Sequence, residues 1–248
     1  MKKIINAAII ENLEIAKNIH RLMVNADIEA HAGQFVQLKL PSNDFTLRRP
    51  LGIASIDNGQ LKMFYRVVGR GTEFLSTLKA GDEVNLIAPL GNSFNIAASE
   101  RILLVGGGMG LAPLLFAAIE SKSADILMGG RNSEEVKCWE NEFRGKANNI
   151  FIATDDGSVG TYGFVTDLLP SVLDSASYDK ILVCGPEIMM RKTAQLAKER
   201  GIKCQVSLEK RMACGLGACL SCSIDTIHGR RKVCKDGSVF DAEEVFYN

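Results

Sequence analysis

Residues 214–222 read Cys-Gly-Leu-Gly-Ala-Cys-Leu-Ser-Cys, and a fourth cysteine follows at Cys234. The spacing is C-x4-C-x2-C-x11-C, with two glycines and an alanine between the first two thiols. A loop with so little side-chain bulk can wrap a compact inorganic core and turn its backbone N–H groups inward. This spacing is typical of plant-type 2Fe–2S sites, in which four thiolates hold two irons. We therefore predict a 2Fe–2S cluster on Cys214, Cys219, Cys222 and Cys234.

Two other uses of these cysteines stay open at this point. Structural zinc usually takes two C-x2-C pairs, and this stretch has one. Disulfides belong to secreted proteins, and no secretory signal is recognisable. Seven cysteines without such a signal suggest a reducing compartment, so we expect a cytoplasmic protein.

The overall charge excludes some partners. The 248 residues carry 29 basic and 29 acidic side chains, so nothing favours binding to nucleic acid or to an anionic membrane. Residues 102–119 form an uncharged stretch of 18, but it contains four glycines and a proline. We interpret this stretch as strand, glycine turn and helix, and we expect no membrane span.

Upstream of the cysteines, strands and helices alternate over residues 98–206, which predicts a parallel sheet covered by helices on both faces. Glycines follow the first strand directly, and Pro113 lies just inside the next helix, as in a phosphate-binding turn. The motif is not a strict GxGxxG, so a tight turn without ligand stays open. Cys184 ends the last predicted strand, either near a nicotinamide ring or as a packed thiol. The predicted dinucleotide-binding residues are Gly106, Gly107, Gly108, Gly110 and Cys184. The predicted strands are 101–105, 125–128, 150–153 and 180–183, and the predicted helices are 112–120, 134–143, 164–169 and 187–199.

Residues 1–97 contain short apolar runs separated by turn signals, which predicts a small antiparallel barrel. Arginine, proline and glycine at the start of one strand could hold a phosphate and admit a flat ring. A later glycine turn opens a short helix, whose first N–H groups could also hold a phosphate. Together they predict a flavin site, although each alone is more typical of a surface loop or a helix cap. The predicted flavin-binding residues are Arg49, Pro50, Leu51, Gly52, Phe64, Tyr65, Arg66, Gly71 and Thr72. The predicted strands are 3–10, 15–22, 35–40, 62–68 and 84–88, with a further strand entered at 49–55.

Residues 207–248 form a third predicted unit, too small for a core of its own, so we expect the metal to act as its staple. A short strand is predicted near Val239-Phe240. The three units make sense together as an electron relay. Nicotinamide exchanges two electrons, a 2Fe–2S centre exchanges one, and a flavin connects the two. No Ser–His–Asp set or carboxylate pair suggests chemistry on a carbon substrate, so we assign no catalytic residue.

The whole chain resembles the ferredoxin–NADP reductase superfamily. More narrowly, it is similar to the electron-transfer subunits of the NAD-dependent, type B dihydroorotate dehydrogenases of bacteria. The most specific match runs from Leu208 through Cys214 to Gly237. The other matching stretches are 49–53, 65–66, 71–72, 106–113 and 184–186.

The resemblance implies one FAD and one 2Fe–2S cluster on the residues named above, with NAD as electron acceptor. It also implies a separate FMN-containing catalytic subunit that oxidises dihydroorotate in pyrimidine (UMP) biosynthesis, in a heterotetramer of two plus two. One departure is Gly52, where the family often carries a serine or threonine hydroxyl near the flavin. Two alternatives stay open. One is a flavin and 2Fe–2S subunit of a ferredoxin:NADP transhydrogenase or a soluble hydrogenase, and the other is a zinc-stapled interaction protein.

Overall fold

A closed antiparallel barrel forms the first part of the chain. The computed structural model describes residues 2–247. Strand β6 shows why the barrel forms, because every second residue from Val84 to Leu90 is buried and the others face outward. The predicted barrel is confirmed, with strand order β1-β2-β5-β4-β3-β6. Its elements are β1 Lys3–Ala16, β2 Ile19–Asn25, β3 Phe35–Lys39, β4 Arg49–Asp57, β5 Gln60–Arg66, α1 Arg70–Thr77 and β6 Glu83–Leu90.

One predicted barrel strand, 15–22, is wrong. The first strand continues to Ala16, and the second begins at Ile19, which pairs with it. The chain turns between them at Asn18, which has a φ of 61°. Asparagine tolerates this left-handed conformation better than most residues, so the turn fits inside what looks like one apolar run.

A seven-stranded sheet follows, with order β10-β9-β8-β7-β11-β12-β15. All its neighbouring strands are parallel except β15, which runs antiparallel to β12, so the predicted α/β architecture is confirmed. The predicted end of the helix at 169 is wrong. The helix continues through Pro170 to Ser175, because Val172 and Leu173 add to its buried face. The elements are β7 Ile102–Gly107, a 3-10 turn Gly108–Gly110, α2 Leu111–Glu120, β8 Ala124–Gly130, α3 Ser133–Phe143, β9 Ile150–Thr154, β10 Thr161–Tyr162, α4 Val165–Ser175, β11 Lys180–Cys184, α5 Glu187–Glu199 and β12 Lys203–Ser207.

The last part of the chain is tied to both other parts. Strand β15 completes the large sheet, with Phe240 opposite Val206. Toward the barrel, the backbone N–H of Asn92 donates to Gly237 O at 2.6 Å. The tail therefore has anchors besides its cysteines, while the boundary at 206/207 stays a prediction. Its elements are β13 Ser223–Thr226, β14 Gly229–Lys232, α6 Val233–Asp236, β15 Val239–Asp241 and α7 Ala242–Phe246.

Buried carboxylates fix the sheet internally and against the barrel. Glu142 at the end of α3 pairs with Arg21 of β2 at 2.9 Å and with Lys62 of β5 at 3.2 Å. Within the sheet, Asp125 is 2 % exposed and accepts hydrogen bonds from Tyr178 at 2.7 Å and from the Asn149 amide at 2.8 Å. Burial alone would raise the pKa of Asp125, but its hydrogen-bond donors lower that pKa below its usual value.

Across residues 2–247, every helix is too short or too polar to cross a membrane.

Candidate functional site: a cysteine loop beside a barrel and a cleft

The four cysteines of the motif lie together in the tail. The cysteine loop (residues 209–222) runs between β12 and β13 without regular structure. Cys222 and Cys234 are buried, Cys214 is half-buried and Cys219 is exposed. The N–H of Gly217 donates to Cys234 Sγ at 3.1 Å, and the N–H of Cys234 donates to Cys222 Sγ at 3.4 Å. The structure therefore brings all four predicted ligands to one end of the tail.

Backbone N–H groups favour thiolates at this position. Burial works to raise the pKa of Cys214, but N–H groups of the loop, among them that of Leu216 at 3.3 Å, lower it to about 6. The pKa of Cys234 is raised to about 12 by burial and by its neighbour Cys222. Neighbouring thiols lose their protons most readily when they bind a common cation, because the form that binds a metal is the thiolate.

The donor set suits a two-iron cluster. A 2Fe–2S cluster takes four thiolates divided between two irons, and the four cysteines are a complete set of that kind. Over residues 2–247, the His, Cys, Asp and Glu side chains form no ready-made group of three around a single ion. Gly217, with a φ of 86°, lets the loop turn over Lys235, whose Cδ would lie 2.8 Å from an added Cβ.

On the barrel, Arg49 meets the amino terminus of α1. Its guanidinium lies against Gly71, where a Cβ would stand 2.5 Å from Arg49 Cζ. The turn before the helix is fixed by Thr72, whose Oγ1 accepts the N–H groups of Val68 at 2.9 Å and Gly69 at 3.2 Å. A guanidinium beside the free N–H groups of a helix terminus is a suitable site for a phosphate. Arg49, Gly71 and Thr72 therefore lie together at the amino terminus of α1, and their contact with a flavin stays a prediction.

The arginine motif (residues 49–52) extends from Arg49 toward α2, the helix that follows the glycine turn (residues 106–110). Pro50 is exposed and Leu51 is buried. A Cβ on Gly52 would lie 3.7 Å from Cδ of Pro113, at the start of α2. This is ordinary van der Waals contact, so the packing leaves room for a side chain at Gly52. The flavin motif and the dinucleotide motif thus adjoin across the two domains.

The structure separates the three residues of the Phe64-Tyr65-Arg66 stretch. Phe64 is buried against Trp139 of α3, with ring centroids 4.8 Å apart. The Tyr65 hydroxyl donates to Asn12 at 2.8 Å, and the Asn12 amide donates to the carbonyl of Leu75 at 2.8 Å. Tyr65 thereby fixes α1 on the barrel through Asn12. A direct contact of Phe64 or Tyr65 with a flavin stays a prediction.

Arg66 reaches a cleft of about 650 Å³ between the barrel and the large sheet. There it forms an ion pair with Glu135 of α3. The glycine turn lines the same cleft with Gly107, Gly108 and Gly110. Gly106 packs behind the turn against Leu111. The cleft meets the carboxyl ends of β8, β9 and β11, where open α/β sheets bind their ligands.

Packing explains two features that also fit a ligand site. A Cβ on Gly110 would overlap the backbone carbonyl of Cys184, so this glycine is required by the close approach of turn and strand. Cys184 itself is 1 % exposed and does not line the cleft, although Gly185 and Pro186 do. Burial raises the pKa of the Cys184 thiol, and nearby Glu209 raises it further.

Glu209 lines the cleft and was missed in the sequence. Glu209 is exposed to solvent at the cleft, and partial desolvation by the surrounding protein raises its pKa. It follows β12, a strand that was not predicted, although Cys204 and Val206 alternate with polar residues. Recognition of that alternation would have placed Glu209 at the ligand-binding edge of the sheet.

Comparison with known proteins agrees with this geometry. Residues 209–246 match the family described as the iron-sulfur cluster binding domain of dihydroorotate dehydrogenase B. The curated dihydroorotate dehydrogenase B (NAD(+)), electron transfer subunit, of Clostridium acetobutylicum is 37% identical over 239 residues, covering 96% of this chain and 95% of that protein. The subunit of the same name from Clostridium perfringens is 39% identical over 240 residues and covers 95% of each chain.

Solved structures extend the comparison to the fold. An NADH-dependent reduced ferredoxin-NADP oxidoreductase structure, described for flavin-based electron bifurcation, superposes with a TM-score of 0.84 at 30% identity, covering 96% of this chain and 89% of that one. A ferredoxin reductase in carbazole 1,9a-dioxygenase shares the fold, with a TM-score of 0.69 at 21% identity, covering 81% of this chain and 67% of that one. The sequence relatives span nearly the whole length. The chain belongs to the family of electron transfer subunits of dihydroorotate dehydrogenase B (NAD(+)).

Proposed function

We propose that this chain passes electrons from the FMN of a dihydroorotate-oxidising partner, through a 2Fe–2S cluster and FAD, to NAD+, in pyrimidine (UMP) biosynthesis. The observation that carries the proposal is the position of the four cysteines. Cys214, Cys219 and Cys222 lie on a loop that packs against barrel strand β3, and Cys234 joins them from α6. Strand β3 pairs with β4, the strand that carries Arg49. A one-electron centre and a flavin site are thus neighbours in one chain.

The barrel residues would hold FAD. Arg49 supplies a positive charge and the first turn of α1 supplies backbone N–H donors, which together suit a pyrophosphate. Gly52 lies three residues after Arg49 on β4, so we place the flat ring of the flavin beside this strand. When bound, FAD exchanges single electrons with an iron–sulfur centre and a hydride with nicotinamide.

The cleft residues would hold NAD. The glycine turn brings backbone N–H groups of Gly107 and Gly108 to the cleft wall, where side chains would block a phosphate. Lys192 of α5 adds a positive charge to the lining of the same cleft. Glu209 supplies a carboxylate beside Gly185, suited to accept a hydrogen bond from an amide.

The cysteine loop would hold the cluster and face the partner. Cys222 and Cys234 are enclosed, whereas Cys219 lies at the surface beside exposed Leu216 and Leu220. This apolar rim around an exposed ligand suits a docked FMN-containing catalytic subunit, which we place with this chain in a heterotetramer of two plus two. We also assign the complex to the cytoplasm, where the thiols stay reduced.

A second candidate function has one observation in its favour. The NADH-dependent reduced ferredoxin-NADP oxidoreductase structure covers 96% of this chain at 30% identity. In that function, the same flavin and cluster sites would serve a transhydrogenase with a different partner. The family match of residues 209–246 favours the dihydroorotate system.

Co-expression with the partner tests the proposal. The purified complex is supplied with dihydroorotate and NAD+, and NADH formation is followed by its absorbance. The proposal predicts that the reaction needs both chains and that the catalytic chain alone does not reduce NAD+. Reduction of NADP by reduced ferredoxin without any activity on dihydroorotate would instead establish the second candidate.

A further inference from the structure

Gln37 lies where the barrel touches the cysteine loop. It belongs to β3, and its side chain is fully buried against Gly215, the residue that follows Cys214. A Cβ on Gly215 would lie 2.5 Å from Gln37 Cγ, and Gly215 has a φ of 68°. Any larger residue at Gly215 would therefore lift the loop from the barrel.

The same residue lies beside the flavin motif. Gln37 pairs with Pro50 across the β3–β4 ladder. Its backbone carbonyl accepts a hydrogen bond from the Arg48 guanidinium at 3.0 Å, and Arg48 precedes the first residue of the motif. One residue of β3 therefore contacts both the strand of the proposed flavin site and the loop of the proposed cluster.

Only one end of the buried Gln37 amide has a partner. Gln37 Nε2 donates a weak hydrogen bond to Sδ of Met212 in the cysteine loop at 3.8 Å, whereas Oε1 has no hydrogen-bond partner among residues 2–247. A buried carbonyl without a partner costs free energy that an apolar side chain of similar size would avoid. The amide nitrogen, the positive end of the dipole, is the end that faces the loop.

We propose that Gln37 is a positioning residue that fixes the cysteine loop on the flavin barrel and, through its amide N–H end, stabilises negative charge on the thiolates of that loop. The inference rests on the proposed function, because it requires a cluster on those thiolates. Reduction adds one negative charge to an iron–sulfur centre, and the surrounding hydrogen bonds and dipoles set the potential at which this occurs. Gln37 therefore makes the cluster easier to reduce.

The test uses the full chain with its cofactors in three variants. Gln37→Met replaces the amide with an apolar group of similar size, and Gln37→Glu replaces the N–H end with a carboxylate. Gln60→Met controls for the same chemical change at another barrel position, since Gln60 is an exposed residue of β5 outside the cysteine loop. Iron, sulfide and FAD are quantified first, and the cluster is then titrated with reductant under EPR detection.

We expect Gln37→Met to retain cluster, FAD and thermal stability while its cluster becomes harder to reduce. In Gln37→Glu, the ratio of oxidised to reduced cluster at a fixed potential should rise about tenfold, which is a 59 mV shift for a one-electron couple. Gln60→Met should leave the potential unchanged.

An unchanged potential and EPR spectrum in Gln37→Met, with the cluster present, would overturn the inference. So would a Gln37→Met chain that no longer folds, because the amide would then be needed for packing. If Gln37→Glu loses its cluster, Gln37→Met decides alone. A wild-type chain without iron or sulfide would overturn the proposed function instead, so the two failures are distinguishable.

Discussion

Substitution of Gly71 with alanine should weaken FAD binding without weakening the fold. A Cβ at this position would stand 2.5 Å from Arg49 Cζ, so the guanidinium must leave the amino terminus of α1. The lost interaction is a charge-assisted hydrogen bond to a phosphate, worth about 1.5–3 kcal/mol. At about 1.4 kcal/mol per factor of ten, FAD should bind roughly ten- to a hundredfold more weakly.

The free energy of unfolding of Gly71→Ala should stay the same or rise. Gly71 lies in the first turn of α1, where alanine is a better helix former than glycine by up to about 1 kcal/mol. The displaced group is the flexible end of an arginine rather than backbone, so it can move at low cost. The flavin-free variant should therefore be at least as stable as the wild type in a urea titration.

The assay is a fluorescence titration of flavin-free protein with FAD. Gly69→Ala is the matched control, because no atom lies within 4 Å of the Cβ it would add and the Gly69 backbone is extended, with a φ of 165°. Wild-type affinity in Gly71→Ala, or an equal loss in Gly69→Ala, would refute the assignment of Arg49 to the phosphate site.

Three further substitutions test other parts of the account. Cys222→Ser should lower the iron content from about two per chain to near zero while FAD stays bound, whereas Cys138→Ser should keep both, and a full cluster spectrum in Cys222→Ser would rule out that ligand. Asp125→Asn should destabilise the fold by about 1–3 kcal/mol at neutral pH. Because the pKa of Asp125 is lowered in the folded protein, the difference in free energy of unfolding between wild type and Asp125→Asn should shrink only as the pH falls below about 3.9. Urea unfolding at several pH values tests this, and a difference that stayed constant at low pH would contradict it. Gly52→Ser has room beside Pro113 and should keep full FAD occupancy and a thermal midpoint near wild type, and a loss of FAD from this variant would show that the site requires glycine.

Local patterns were sufficient for much of the fold. Helix α5 begins and ends where its sequence predicts, because Met189, Thr193 and Ala197 recur at helical spacing on the buried face. The alternation from Val84 to Leu90 likewise predicts a barrel strand. The short β12 was missed because five residues leave little room for a period to show.

Long-range pairing was the part that the sequence did not reveal. Strand β15 joins the large sheet beside β12, more than thirty positions away, and nothing in three residues specifies that partner. The four cysteines could be singled out as candidate ligands because their spacing is local. The meeting of Arg49 with Gly71, and of Gln37 with Gly215, depends on barrel closure and domain packing.

The central claim is that this chain carries both a 2Fe–2S cluster and FAD. The most direct test is an absorption spectrum of the anaerobically purified chain, with iron, acid-labile sulfide and released flavin quantified. The account predicts about one FAD, two irons and two sulfides per chain. A colourless protein that contains zinc would contradict it, because neither the cluster nor the reason for a flavin would remain.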